Sequence, residues 1–418
     1  MNDAGREHHA RLDEALVAAT RGIRLLDSVS WPASVEFEFL AAWKAGRAKL
    51  PSVTYPRVDF GATRETLARI AAQADASHPV GDYIRRTAGS WRIVTELLEA
   101  AGTDAVTACS TQLYGRPGDR VPGASLTNVD AARHFIAIAD EYDSGALQDE
   151  IAASLPAEVL RIELQERLDA FFGVDAVKVE TDPDLIAKAA AGATRIRLRS
   201  ATNFTEYDRD QLLAHEAFVH TLTAINGRAQ PYLKSLARSS PRTTATQEGL
   251  AVFAELMSGS IDISRMKRIS LRILAIDMAL AGADFIEVFR YFLDAGQSET
   301  DSFASAQRVF RGAPPTGGAA FTKDSVYLHG LLSVHTFFRW ALRHQRMALC
   351  RNLFAGKLAL HDVIALEPYF DDGTIAQPRY LPPWLRHAHG LAGSLAFSLF
   401  ANQIRLDRVE AEDLVLGL

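Results

Sequence analysis

The 418-residue sequence predicts an α+β protein that is predominantly helical. Apolar residues recur at helical spacing along most of the chain, and only near residues 176–200 does the texture change to short alternating runs. No internal repeat and no low-complexity tract points to a solenoid or a disordered array.

Taken in order, segment 10–28 carries Leu12, Leu16, Ile23 and Leu26 at helical spacing. Segment 64–76 is amphipathic, and 89–101 repeats the pattern with Ile93, Leu97 and Leu98. Between the first two, Pro32, Pro51 and Pro56 predict an extended connection. YGRPGDRVPGASL at 114–126 is the clearest loop of the first third. It suggests a soft boundary between an N-terminal helical region, 1–125, and the remainder, 126–418, the two being free to pack as one unit. Helical spacing returns over 128–172, broken near Pro156. AVKVETD then reads as a strand, DPDLIAKAAAG as a helix closed by Gly192, and TRIRLRS as a second strand. In that strand Ile196 and Leu198 face one way, and Arg195, Arg197 and Arg199 the other.

A helix is expected from about 207 to 225, stopped by Asn226-Gly227 and kept from resuming by Pro231. The next, 247–258, follows PRTTAT; Thr244 and Gln247 have capping-box spacing, which would place Glu248 in the first turn. Helical patterns resume at 261–280, 283–294, 301–310 and 324–355, the last after the loop RGAPPTGGAAFTKD, and a final helix lies near 389–405. His387 and His389, in HAHG, fit its entry loop, with a weak surface metal site as the alternative.

Composition excludes several classes. The formal net charge of -6, from 45 basic and 51 acidic residues, gives no electrostatic case for nucleic acid or an anionic membrane. Two cysteines, Cys109 and Cys350, cannot build a disulfide framework or a cysteine-rich metal site. Asp277 and Asp284 interrupt the most apolar stretch short of the roughly 18 residues a membrane span needs. The start, MNDAGREHHARLDE, is polar and unlike a secretory signal. A cytoplasmic, water-soluble protein with no nucleic-acid or membrane partner is the expectation. There is no G-x-G-x-x-G after a strand, no Walker A sequence and no G-x-S-x-G elbow.

The chemistry lies in the 207–225 helix, which reads LLAHEAFVH: His215, Glu216, then His220. Two imidazoles and a carboxylate on one helix are the parts of a mononuclear zinc hydrolase. In the familiar H-E-x-x-H the histidines stand about 40° apart around an ideal helix. Here one more residue intervenes, so the ideal separation is about 140° and a regular helix would chelate poorly. A π-turn would restore both rings to one face, so the helix should be widened between Glu216 and His220. A third ligand is needed. Glu248 lies 28 residues after His220 at the start of the next helix; Glu255, seven further on, is either an acceptor for a ligand histidine or the alternative ligand.

Zinc held this way keeps positive charge and lowers the pKa of a bound water. Glu216 would then serve as base, accepting that proton and passing it to the leaving amine. Strand 194–200 could pair with an extended peptide along its edge. A structural zinc in a regulatory or scaffold protein, and a zinc hydrolase of a non-peptide amide, are the competing readings; a base beside a ligand favours catalysis.

The run HEAFVH…NGRAQP…PRTTATQEGLAVFAEL, followed by RVFRG…GGAAFTKDSVYLHG, resembles the microtubule-associated tyrosine carboxypeptidase family. Bacterial members of that family are often labelled flavohemoglobin expression-modulating QEGLA motif proteins. The resemblance extends to LYGRP near 113–117 and YLPPWLR near 380–386. It implies a zincin-like metallopeptidase fold, one Zn2+ per chain bound by His215, His220 and Glu248, and Glu216 as catalytic base. Eukaryotic members remove the C-terminal tyrosine of α-tubulin. That substrate does not transfer automatically: only eight of the 45 basic residues are Lys, a bias typical of GC-rich bacterial coding. The expected substrate is a peptide or protein C-terminus, with an aromatic last residue as one possibility.

A carboxypeptidase also needs a cation for the terminal carboxylate. Lys323 in FTKD and Arg311 in RVFRG lead the candidates, followed by Arg308, Arg228 and Arg242. Tyr327, four residues after Lys323, could donate to the oxyanion or simply pack in the core. His329 and His335 are expected to pack or to support a ligand.

Overall fold

In the computed structural model, residues 2–142, 154–183, 185, 188–386 and 388–401 are described. The first third is all helix: α1 (Asp3–Thr20), α2 (Leu25–Val29), α3 (Ala33–Lys44), α4 (Gly61–Gln73), α5 (Pro79–Glu99), α6 (Ala105–Tyr114) and α7 (Asn128–Tyr142). Helix α3 occupies a stretch that the prolines had marked as extended. Pro32 stands at its N-cap in extended conformation, where a missing N–H costs nothing. Phe39 then anchors the helix edge-on against Phe285 and Phe289. Pro32 marks a boundary, and aromatic burial makes the segment beyond it helical.

The sheet region contains β1 (Leu155–Pro156), α8 (Ala157–Phe172), β2 (Lys178–Asp182), β3 (Ala189–Ala191), β4 (Arg195–Arg199) and β5 (Asn203–Phe204). Strand β4 is central, parallel to β2 and antiparallel to β3, while β1 pairs with β5. Its alternation is as expected, with Ile196 and Leu198 buried. Two expectations fail here. The alanine run forms an outer strand rather than a helix, because three residues cannot nucleate a helix against a ready ladder on β4; residues 184, 186 and 187 of that segment lie outside the described ones. Both edges of β4 are therefore occupied, and an extended peptide has no edge to pair with on that strand.

Helix α9 (Glu206–Leu212), a π-helical stretch Leu213–Thr221 and α10 (Leu222–Arg228) form one continuous rod. The widening expected between Glu216 and His220 is present. The rod does not stop at Asn226-Gly227, however. A Cβ at Gly227 would lie 2.2 Å from the Leu236 carbonyl oxygen, so glycine permits close approach rather than termination. Asn226 and Gln230 hold the C-terminal segments: Asn226 bonds the backbone of Phe354 and Tyr380, and Gln230 that of Ala355 and Ala376.

Two 3₁₀ turns, Lys234–Ala237 and Pro241–Thr243, lead into α11 (Thr244–Ser258). The expected Thr244–Gln247 capping box does not form, since the 3₁₀ turn starts the helix three residues earlier; Glu248 is thus in the second turn. Next come α12 (Ile263–Leu280), α13 (Phe285–Asp294), α14 (Glu299–Val309) and α15 (Ser325–Arg343). The helix expected over 324–355 breaks after Arg343, where Gln345 takes a positive φ of 59°. Short helices α16 (Ala348–Asn352), α17 (Leu360–Ala365), α18 (Pro368–Asp371) and α19 (Pro383–Arg386) precede α20 (Ala388–Ala401). Residue His387, the side chain of His389 and residues 402–405 of the expected last helix lie outside the described residues.

The main hydrophobic cluster joins Leu12 and Leu16 of α1 and Leu67 of α4 to Leu198, Val219 and Phe253. The first 125 residues thus share a core with the site-bearing elements. Asp13, fully buried on α1, accepts bonds from the backbone N–H and hydroxyl of Ser235 just beyond α10. Among the described residues no helix is long and apolar enough to cross a membrane.

Helices α11 and α15 cross at Gly249 and Gly330. A Cβ on Gly249 would fall 2.2 Å from the Gly330 carbonyl carbon, and one on Gly330 would fall 2.2 Å from the Ala245 oxygen. The glycine of QEGLA is there for contact between two helix backbones. Gly249→Ala is expected to cost about 1–3 kcal/mol by overpacking, read as a lower Tm. Gly89→Ala in α5, where nothing lies within 4 Å of the added carbon, is expected to gain about 0.5–1 kcal/mol. Equal Tm shifts in the two variants would refute the close-contact account.

Candidate metal centre

The π-helical stretch sets the site. In an α-helix residues five apart diverge, whereas i→i+5 bonding places them on one face. The His215 and His220 rings accordingly lie 4.9 Å apart, with their planes at 81°. Glu248 comes from α11: its Oε2 is 3.6 Å from His215 Nε2 and 3.7 Å from His220 Nε2. These three form a group whose potential ligand atoms all lie within 4.8 Å of one another. Nitrogen and oxygen ligands about 2.0–2.1 Å from a tetrahedral ion stand roughly 3.3 Å apart, so the spacing suits one small divalent cation. Small side-chain rotations close the difference.

Around this group each side chain has its own partner. His215 Nδ1 donates to Glu255 Oε1 at 2.6 Å, which leaves Nε2 to face Glu248 and His220. Glu255 is fully buried, and Arg265 grips both its oxygens at 3.0 and 3.1 Å. Burial would raise the Glu255 pKa, but Arg265 and His215 outweigh it and bring it to about 2. Burial likewise opposes charge on His215, yet hydrogen bonds to Glu248 and Glu255 and the Glu216 charge lift it to about 10. Lys323 Nζ donates to the other Glu248 oxygen at 3.4 Å. With both histidines, it holds the Glu248 carboxyl well below the usual range despite burial. Glu216 is half-buried, and among the described residues its carboxylate makes no hydrogen bond or ion pair.

A second, mostly cationic layer lies behind Lys323. Tyr327 has the Lys323 ammonium at 5.4 Å and the Arg272 guanidinium at 5.6 Å from its ring centre. Its hydroxyl accepts from Arg308 at 3.5 Å. Arg308 grips Asp324 with two bonds, at 2.5 and 2.8 Å. Arg272 reaches the same carboxylate only at 3.6 Å. The Arg311 Nε is buried with no partner. Burial, then the neighbouring Arg308 charge, pushes both Arg272 and Arg311 down to about 10. On the other flank, burial brings the Lys357 ammonium down to about 8, against the opposing pull of Glu248 and Glu216.

The structure thus gathers His215, Glu216, His220, Glu248, Glu255, Lys323, Arg308, Arg311 and Tyr327 around one region. It does not bring Arg228 there: that residue is exposed at the end of α10. Arg242 is bound to Asp362 at 2.6 and 2.8 Å. His329 faces Asn128, and His335 packs on Phe253. Sequence reasoning missed Arg265, Arg272, Gln247 and Lys357. For two of them a signal existed: Arg265, Arg268 and Arg272 recur at spacings of three and four along one helix.

The profile of the microtubule-associated tyrosine carboxypeptidase family matches residues 38–403. The chain belongs to that family. The match takes in the whole site, from the π-helical stretch to Lys323 and Tyr327, and classes the chain with carboxypeptidases, which are peptide hydrolases. No curated protein matches the chain significantly. Among solved structures, a candidate lipoprotein from Colwellia psychrerythraea is 14% identical, covering 86% of this chain and 69% of its own, with a TM-score of 0.46. Trypanosoma cruzi metallocarboxypeptidase 1 is 13% identical, covering 93% and 95%, with a TM-score of 0.37. Likenesses at that level fix no further detail.

Asp324 is the counter-charge for the cationic layer, held far below its usual value of 3.8 by Arg308 and Arg272 against the effect of burial. A depressed carboxylate contributes stability above its unfolded pKa and loses it as pH falls through the folded one. Asp324→Asn should therefore cost about 3–5 kcal/mol at neutral pH and flatten the decline in stability below about pH 4. Urea unfolding at pH 7 and pH 3 measures both; an unchanged neutral stability would contradict the assignment.

Proposed function

We propose that this chain is a zinc-dependent carboxypeptidase that removes the last residue of a peptide or protein. The observation that carries the reading is the convergence of His215, His220 and Glu248 beside an uncommitted carboxylate, Glu216, in a chain of a carboxypeptidase family. Two histidines and a glutamate are the ligand set of catalytic zinc, which keeps a position open, whereas structural sites usually close with cysteine. This supports hydrolysis over a structural or scaffold role. Bound zinc supplies a Lewis acid that lowers the pKa of a water and polarises the scissile carbonyl.

The protein's own groups do the rest. Glu216 accepts the proton of the attacking water and returns it to the leaving nitrogen. Glu255 fixes the Nδ1 proton of His215 and so presents the Nε2 lone pair. The Tyr327 hydroxyl can donate to the developing oxyanion. Lys323 is engaged with Glu248 and Arg308 with Asp324, which leaves Arg272 and Arg311 as the guanidiniums able to take a terminal carboxylate. The family's name makes a tyrosine-ended peptide the natural first substrate.

Glu216→Gln is expected to keep its zinc and to lose about 10²–10⁴-fold in turnover of such a peptide; equal turnover would eliminate Glu216 as base. Arg272→Ala and Arg311→Ala should raise KM for peptides with a free C-terminus, with little change for their amidated counterparts. If both substrates suffer alike, these arginines are structural.

A further inference from the structure

We propose that Lys357 is a positioning residue for the metal centre: its buried ammonium ties the His220 carbonyl to Gln247, the residue before Glu248, and so fixes two ligand-bearing elements relative to each other. The inference rests on the reading of His215, His220 and Glu248 as metal ligands.

Lys357 lies in the connection between α16 and α17 and is only 7% exposed. Its Nζ donates to the His220 carbonyl at 3.3 Å and to Gln247 Oε1 at 3.2 Å. No carboxylate among the described residues is within ion-pair distance of it. Its direct acceptors are neutral, and Glu248 and Glu216 pull on it only from beyond ion-pair distance; a buried ammonium so held is costly, and an apolar residue of similar length would suit the core better if packing were the only demand.

The surroundings are built to deliver that ammonium. Gly356 lets the chain press against Leu236, where a Cβ would fall 2.8 Å from the Leu236 Cβ. The Lys357 N–H then bonds the Leu236 carbonyl at 2.8 Å. The Thr223 hydroxyl lies on the same acceptors, its single proton shared among the Val219 carbonyl at 2.7 Å, Gln247 Oε1 at 3.0 Å and the His220 carbonyl at 3.3 Å. Lys357, His220, Thr223 and Gln247 therefore close a ring across the π-helical stretch and α11. His220 and Glu248 sit on opposite sides of the ring. If it opens, the His220 carbonyl loses its Lys357 donor, and the first turns of α11 are free to move away.

The test compares wild type with Lys357→Met, Lys357→Arg, Lys357→Gln and a control, Lys234→Met, whose ammonium donates to the Gln230 carbonyl outside the centre. Zinc affinity is read by competition with a chromogenic chelator, ligand geometry by the visible absorption of the cobalt(II)-loaded protein, and folding by the thermal melt. Lys357→Met should melt cooperatively, bind zinc at least about tenfold more weakly and show a changed cobalt spectrum. Lys357→Arg and Lys234→Met should stay near wild type. A folded Lys357→Met with wild-type affinity and spectrum overturns the proposal. Should that variant fail to fold, Lys357→Gln, too short to span both acceptors, must bind more weakly than Lys357→Arg; equal affinity overturns it as well. A wild type that takes up neither metal removes the ligand assignment itself, a different result from any of these.

Discussion

One extra residue between two histidines governs this structure. With His215 and His220 five apart, no regular α-helix can turn both imidazoles to one point, so the rod must widen over Leu213–Thr221. A π-turn is a rare helical geometry, and contacts around it hold this one in place. Thr221 ties the widened stretch to the Gly192 carbonyl beside β3, and Thr223 and Lys357 reach the His220 carbonyl. Beyond it, Gly227 and Asn226 clamp the end of the rod to Leu236 and to the C-terminal segments. These residues downstream of the histidines maintain the distortion.

The same constraint explains the closeness of α11. Glu248 has to approach two imidazoles from outside the rod, which requires α11 to be held tightly from behind. The Gly249–Gly330 crossing does this by removing every side-chain atom between two backbones. Glu255 then falls two turns further along α11, under His215, where it accepts the Nδ1 proton.

Electrostatics reflect the burial of so many charges together. Glu255 answers Arg265, Asp324 answers Arg308, and Glu248 answers Lys323. Arg272 and Arg311 remain without full partners, and burial depresses both. Surplus positive charge on one side of the centre and an uncommitted carboxylate, Glu216, on the other make an asymmetric site. In the proposed reading, that asymmetry would set an anionic chain end against a base.

The helical α+β class, the alternating strand β4, the family and the need for a widened helix are legible in the chain alone, since spacing, alternation and ordered motifs are local properties of it. Sequence reasoning misjudged the alanine strand, the helix after Pro32 and the end of the site helix, because there propensity competes with a neighbour that only folding supplies: a ladder on β4, the aromatic rings around Phe39, the backbone of Leu236. Tertiary structure alone decided which cations were already engaged, and it brought in Arg265, Arg272 and Lys357. A buried charge is defined by the partners around it, and those partners lie far away in sequence: from Lys357 to His220 the separation is 137 residues.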